Sequence, residues 1–452
     1  MAPRLWNCAV GALCFSISVT AVAAEPESDA VRARDDRIAD LERKVDQLVG
    51  ELGRVRTQVA VPEDQELVSA YGLGPAASKI YGIERGLSIG GYGEAFYTNF
   101  ISDAGSGSTN DGSGTRVSEH DLDRSDFLRF VMYLGYKFNE NIVFNAEIEF
   151  EHAKTGSASP AAGSGSVSVE FAALDFFFND WINARAGMLL LPMGFINEVH
   201  EPPFFHGVQR PEVERRIIPS TWRENGVGIF GNLHETLSYR AYITTGFNAT
   251  GFSDAGIRDG RQNGNRSFAE DLAFVTRLDW TPVPSLLLGG SFYTGGSGHD
   301  QEIGGIDLPD SRLTMYELHA QYRVGGLETR ALFAVSELAS ADKLNTVLGR
   351  ALDRPIAERM IGGYGELAYN IAPFFFGPDR YLAPFVRVEY IDPQDKVPSG
   401  FLANRNRTRW LYTTGLSWKP HPNVVLKAEY RNFQADAGDE ADEVSIGMGF
   451  AF

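Results

Sequence analysis

Hydrophobic and polar positions alternate with a period of two along most of the chain, from Gly86 to the terminal Phe452. Leu128, Phe130, Met132, Leu134, Tyr136 and Phe138 line one face of a segment whose other face carries Arg129, Tyr133, Gly135 and Lys137. After Asn139-Glu140-Asn141 the pattern resumes, with Ile142, Phe144, Ala146, Ile148 and Phe150 opposite Asn145, Glu147, Glu149 and Glu151. Because successive side chains of a strand point to opposite faces, this alternation predicts strands with one apolar and one polar side. Strands are expected over 86–100, 124–138, 141–153, 165–179, 181–190, 225–231, 237–247, 271–282, 285–295, 312–324, 327–338, 358–371, 380–391, 407–419, 423–434 and 442–452, sixteen in all.

The connections alternate too. Short turns such as Asn179-Asp180, Gly325-Gly326 and Pro420-His421-Pro422 follow the even strands, and long polar or glycine-rich loops such as 101–123, 248–270, 296–311 and 339–357 follow most odd ones. An even set of strands with short turns at one end and long loops at the other predicts an all-β fold, a sixteen-stranded antiparallel transmembrane barrel over 86–452. Trp280, Tyr316, Tyr322, Trp410, Tyr412 and Trp418 fall on the outward face near strand ends, where an aromatic girdle meets the membrane interfaces. The last strand, with Val444, Ile446, Met448, Phe450 and Phe452 on one face, ends in an aromatic carboxy-terminus.

Before the barrel the period changes. Val31, Ile38, Val45, Leu52 and Val59 recur every seven residues, with Leu41, Leu48 and Val55 at the alternate spacing. This seam predicts a short α-helical coiled coil over 25–60, followed by a linker over 61–85. Gly50 and Gly53 weaken the helix by up to about 1 kcal/mol each. Residues 1–24 read as a secretory signal: Arg4 supplies positive charge, an apolar stretch follows, and Val22-Ala23-Ala24 offers small residues for cleavage. Cys8 and Cys14 both lie inside it, so the mature chain is expected to carry no disulfide, no cysteine-bound metal and no cysteine nucleophile.

Composition agrees with this frame. The chain of 452 residues is 43% hydrophobic and 12% aromatic, and no run of apolar residues after the leader is long enough for a membrane helix. Its net charge of −18 disfavours nucleic acid, whose phosphates require a basic face. The eight histidines show no metal-ligand spacing, and no nucleophile elbow or phosphate-binding loop occurs. No catalytic residue, metal or cofactor is therefore expected, and His152 and His319 have no nucleophile arranged around them.

If the outward face is apolar, charged strand residues must face the lumen. Arg129, Arg185, Arg240, Arg277, Glu147 and Glu149 are the expected pore-wall residues. The segment 191–224 is long for a structureless loop and carries prolines 192, 202, 203, 211 and 219, which suits a stiff loop folded inward. Its Arg210, Arg215, Arg216 and Arg223, with Glu198 and Glu212, are the expected constriction. Arginine is suited to carboxylate and phosphate because its planar fork makes two parallel hydrogen bonds.

The run GMLLLPMGFINEVHEPPFFHGVQRPEVERRIIPSTWRENGVGIFG (187–231) resembles the phosphate-selective porin family of Gram-negative outer membranes. So do GGYGEAFY (90–97) and RSDFLRFVMYLGYKFNENIVFNAEIEFEHA (124–153). The resemblance implies a trimeric outer-membrane barrel with an inward-folded third loop, and the preceding coil is similar to that of trimeric dicarboxylate porins. The chain departs from the phosphate-selective pattern in the few lysines of its barrel (Lys137, Lys154, Lys343, Lys396, Lys419 and Lys427) and in five acids between Asp436 and Glu443. The expectation is a homotrimeric porin in outer-membrane lipid, its coil in the periplasm, passing small hydrophilic solutes and favouring small anions such as carboxylates or phosphate. The alternative is a structural or adhesive barrel that does not conduct.

Overall fold

The computed structural model describes residues 36–48, 59–60, 67–101, 123–152, 165–377, 380–438 and 440–452. The expected signal 1–24, most of the expected coil and much of loops 101–123 and 153–164 lie outside the described residues. Residues 1–55 and 56–452 form two separate units. Of the first, 36–48 is an α-helix, α1, in which Asp40 pairs with Arg43 at 2.5 Å and Lys44 at 2.7 Å, one turn away. Ile38, Leu41, Val45 and Leu48, the seam residues within it, are all exposed.

In the second unit sixteen strands close on themselves. They are β1 (Gly86–Phe100), β2 (Arg124–Asn139), β3 (Ile142–Glu151), β4 (Ser166–Phe177), β5 (Asn183–Leu190), β6 (Arg223–His234), β7 (Leu237–Thr245) and β8 (Leu272–Val283). The ring continues with β9 (Leu286–Gly295), β10 (Leu313–Val324), β11 (Leu327–Leu338), β12 (Arg359–Tyr369), β13 (Tyr381–Lys396), β14 (Arg409–His421), β15 (Val424–Ala435) and β16 (Glu443–Ala451). Each pairs antiparallel with its sequence neighbour, and β16 returns to β1 through Glu443↔Phe100 to Ala451↔Tyr92. Phe452 completes the seam, exchanging backbone hydrogen bonds with Gly91 at 2.9 and 3.0 Å. Closure leaves the ring no free edge, which a barrel in lipid requires. Val59–Ala60 adds a two-residue parallel pairing to β1.

The turns follow from side-chain chemistry. Asn139 Oδ1 accepts from the backbone N–H of Asn141 and Ile142 (2.8 and 2.9 Å), and Asn179 Oδ1 does the same for Trp181 and Ile182. Gly325 and Gly326, both at positive φ, make the two-residue turn between β10 and β11. The connection 370–380 is longer than the other short turns and contains a 3-10 turn at Ala372–Phe374. On β8, Leu272, Phe274, Leu278 and Trp280 face out while Ala273, Val275 and Arg277 are buried inside. The six expected girdle aromatics are all exposed on the outer surface.

The lumen is not the wide, water-filled bore that the strand count suggests. At the long-loop end, Trp222, Phe247, Phe252, Ile257, Leu308, Leu344 and Ile356 pack with wall residues into one hydrophobic cluster. At the short-turn end, residues 67–85, expected to be a linker, enter the ring. Leu73, Ala76, Ala77 and Ile80 are buried, and the short helix α2 (Lys79–Gly82) lies against β1, β2 and β3.

Candidate functional site

The loop between β5 and β6 leaves the wall at Leu191 and rejoins it at Trp222, where Leu191 N–H donates to Trp222 O (3.1 Å). Asn197 closes the neck. Its Nδ2 donates to Leu191 O (2.6 Å) and Trp222 O (2.9 Å), and its Oδ1 accepts from Trp222 N–H (2.6 Å). From this neck the loop crosses to the far wall. Arg330 of β11 donates to Phe204 O (2.9 Å), and Tyr364 of β12 to Glu214 (2.7 Å). Glu389 of β13 accepts from Val213 N–H (3.1 Å), and Glu429 of β15 accepts from Val208 and Gln209 N–H (2.9 and 3.0 Å). Gly447 and Gly449 of β16 let it lie close: a Cβ at either would meet Val208 or Pro202. The helix α3 (Glu212–Arg216) forms its inner rim.

The expected pore arginines all face the interior, and all but one are held by carboxylates. Arg129 bridges Glu94 (2.5 Å) and Glu149 (3.1 Å). Arg185 forks onto Asp175 at 2.6 and 2.9 Å. Arg240 and Arg277 share Glu198 and Asp279. Arg223 meets Glu170 at 2.5 Å. Arg215 and Arg216 both reach Glu212 Oε2 (3.3 and 2.9 Å), whose Oε1 takes Arg431 (3.1 Å). Burial pushes Glu212 up, but these three guanidiniums together outweigh it and hold the carboxyl below its ordinary range. Arg215 nevertheless keeps its side chain 46% exposed, open to solvent at the long-loop side.

Arg210 is the exception. It lies within electrostatic reach of Arg129, Tyr92, Glu94 and Glu149, yet its Nε and Nη2 meet no hydrogen-bond partner among the described residues. Burial, and next the neighbouring Arg129, lower its pKa. Lys427 of β15 is the second such cation, its Nζ 3.7 Å over the Phe205 ring and without a hydrogen-bond partner. Sequence reasoning counted Lys427 only in a tally of lysines, since nothing in its strand marks it off from other inward positions. It also passed over Asn197 and Arg261. Arg261 Nη1 takes the carbonyls of Pro219, Ser220 and Thr221 (3.2, 3.1 and 3.0 Å) and fixes the loop's exit.

The inserted segment touches the loop tip. Ala76 N–H donates to both oxygens of Glu201 (3.0 Å each) and Ala77 N–H to one (3.2 Å). Glu201 is fully buried, and burial raises its pKa to about 8 despite those N–H donors. Cavities lined by charged residues remain on this side of the loop. One of about 520 Å³ is bounded by Tyr71, Glu198, Arg240 and Asp279, and one of about 440 Å³ by His206, Glu328, Arg330 and Lys419.

Known proteins place this architecture. Residues 226–449 match the family described as "Putative beta-barrel porin-2, OmpL-like". An uncharacterized protein of Aquifex aeolicus (strain VF5) is 37% identical over 387 residues, 83% of this chain and 82% of its own length. The chain belongs to this porin family. Among solved structures, a Salmonella typhi OmpF complex with daunomycin superposes with a TM-score of 0.52 at 12% identity, covering 81% of this porin and 98% of that chain. The outer membrane channel DcaP of Acinetobacter baumannii gives 0.51 at 13% identity, covering 82% and 98%. At those identities the likeness is one of fold. The porin is thus a β-barrel of the bacterial outer membrane, from a family of channels rather than enzymes.

Proposed function

We propose that this porin is a passive diffusion pore for small hydrophilic solutes that favours small anions such as carboxylates or phosphate, with Arg210 as the attracting group at the constriction. The supporting observation is that Arg210, alone among the expected pore arginines, has no carboxylate partner among the described residues. A paired arginine presents little net charge to a passing solute. An unpaired one in a narrow site of low dielectric attracts anions strongly, yet a single site still releases them. Lys427 extends the same path. Arg215 and Arg216 form its outer approach, with Arg129, Arg185, Arg240, Arg277, Glu147 and Glu149 bracing the wall. The acidic stretch 436–443 is partly spent on Arg409, Arg431 and Arg405, through Glu440, Glu443 and Asp436.

The test is reversal potential across a planar bilayer under a KCl gradient, repeated with succinate or phosphate replacing chloride. An anion-selective potential that weakens in Arg210→Ala supports the reading, whereas an unchanged potential in that variant places selection elsewhere. The structural or adhesive alternative has one observation on its side: residues 67–83 and the hydrophobic cluster fill much of the lumen. Absence of conductance both in the full chain and after removal of 67–83 would favour it.

We infer also that three chains assemble, their α1 seams joined as a periplasmic coiled coil. The exposure of Ile38, Leu41, Val45 and Leu48 in the single chain supports this.

A further inference from the structure

Behind the constriction loop, three residues from three segments converge. Glu147 comes from β3, Glu170 from β4 and His200 from the loop itself. A register shift in the β3–β4 pairing brings Glu170 there: Glu147 pairs with Phe171 and Ile148 with Val169, which leaves Glu170 as the extra residue of a bulge. Val169 faces outward and Phe171 inward, which strict alternation forbids for residues two apart. The bulge instead buries both Glu170 and Phe171 on the inner face.

His200 Nε2 lies 3.2 Å from Glu147 Oε1 and 3.7 Å from Glu170 Oε2, and the three candidate donor atoms all fall within 4.8 Å of one another. None of the three residues is more than 2% exposed. Glu147 Oε2, Glu170 Oε2 and His200 Nδ1 have no hydrogen-bond partner. Glu147 Oε1 is hydrogen-bonded to His200 Nε2 and accepts from the Tyr92 hydroxyl (3.4 Å), but buried carboxylate oxygens left without a donor are costly unless a proton or a cation is shared.

We propose that Glu147, Glu170 and His200 form a site for one divalent metal ion of the zinc class, tying the constriction loop to the barrel wall. Metal–ligand bonds of about 2.0–2.2 Å in tetrahedral geometry place neighbouring donors roughly 3.3–3.5 Å apart, close to the 3.2 and 3.7 Å from His200 Nε2 to the two carboxylates. One imidazole and two carboxylates suit zinc better than calcium, which takes more oxygen ligands. Two of the nearby cations are already committed: Arg223 to Glu170 Oε1, leaving Oε2 to the site, and Arg129 to Glu94 and Glu149. Arg210 is the opposing charge. Sequence reasoning expected no metal because the ligands share no local spacing.

The experiment uses the full chain purified in detergent, stripped with a chelator and titrated with zinc sulfate alone. The expected result is one zinc per chain by elemental analysis, with affinity about ten-fold or more weaker in His200→Gln and in Glu170→Gln, and unchanged in the exposed control His234→Gln. A zinc absorption-edge spectrum of the unaltered protein should show one imidazole and two or three oxygens, so the result does not depend on how the variants fold. Substoichiometric binding, equal affinity in the two ligand variants, or a spectrum without imidazole would overturn the proposal. None of these readouts depends on conductance.

Discussion

Arg210 and Asn197 show how two residues of one loop carry opposite burdens. Asn197 has its amide satisfied by both ends of the neck, so Asn197→Ala leaves the Trp222 N–H without its acceptor and takes one of two donors from the carbonyls of Leu191 and Trp222. A loss of about 2–3 kcal/mol in the loop's hold is expected, read as faster proteolysis within 191–222 while the strands stay protected. Arg210 makes no such bonds, so Arg210→Ala should leave folding intact. Its anion-to-cation permeability ratio should fall roughly five-fold, equivalent to about 1 kcal/mol, measured from reversal potentials. Removing Arg215 and Arg216 together should lower the ratio as well, since Glu212 would then face the path with Arg431 as its remaining partner. That charged strand residues face inward was legible from alternation alone. Which arginine is free was not, because many of the carboxylates that occupy the others come from a different element, as with Arg431 and Glu212.

The elements that narrow the pore differ in how far the sequence announces them. The loop 191–224 stood out by its length, prolines and charge. The segment 67–85 did not, since its small residues resemble a linker until the wall around them is present. Its attachment through Glu201 carries a pH dependence. Burial moves that carboxyl from its ordinary 4.5 up to about 8, so the folded form binds the proton more tightly than the unfolded one. The hold on 67–83 is therefore fullest below about pH 4.5 and is lost as pH rises through about 8. Protease protection of this segment should decline between pH 5 and pH 9 in the unaltered protein and stay flat in Glu201→Gln. An equal decline in both would assign the dependence to another group.

For the whole molecule, the closed ring leaves two separate questions, how wide the path is and how many chains assemble. Because 67–83 occupies the short-turn mouth, deleting it should raise single-channel conductance without changing the sign of selectivity, which the constriction sets. Assembly is tested by cross-linking in detergent. Three linked chains are expected, with thermal dissociation at lower temperature when Leu41 and Leu48 are replaced by Ser. Linked species other than trimers would remove the coil from the account of assembly. The family whose residues match is the porin-2 family, so the phosphate-selective resemblance informs the proposed anion preference and not the chain's membership.

Period-two alternation, the even strand count and the alternating loop lengths were enough to determine the barrel, its strand boundaries to within a few residues and its outward girdle. These follow from local geometry: a strand between lipid and lumen has one solution to the placement of apolar and charged side chains. The inward fold of the loop was also legible, because proline stiffness and charge are written in one continuous stretch. Tertiary structure alone decided which cations remain unpaired, that 67–83 enters the mouth, and that Glu170 turns inward beside Glu147 and His200. Each depends on residues brought together across the ring from distant positions, or on a one-residue bulge that reverses the very alternation from which the strands were read.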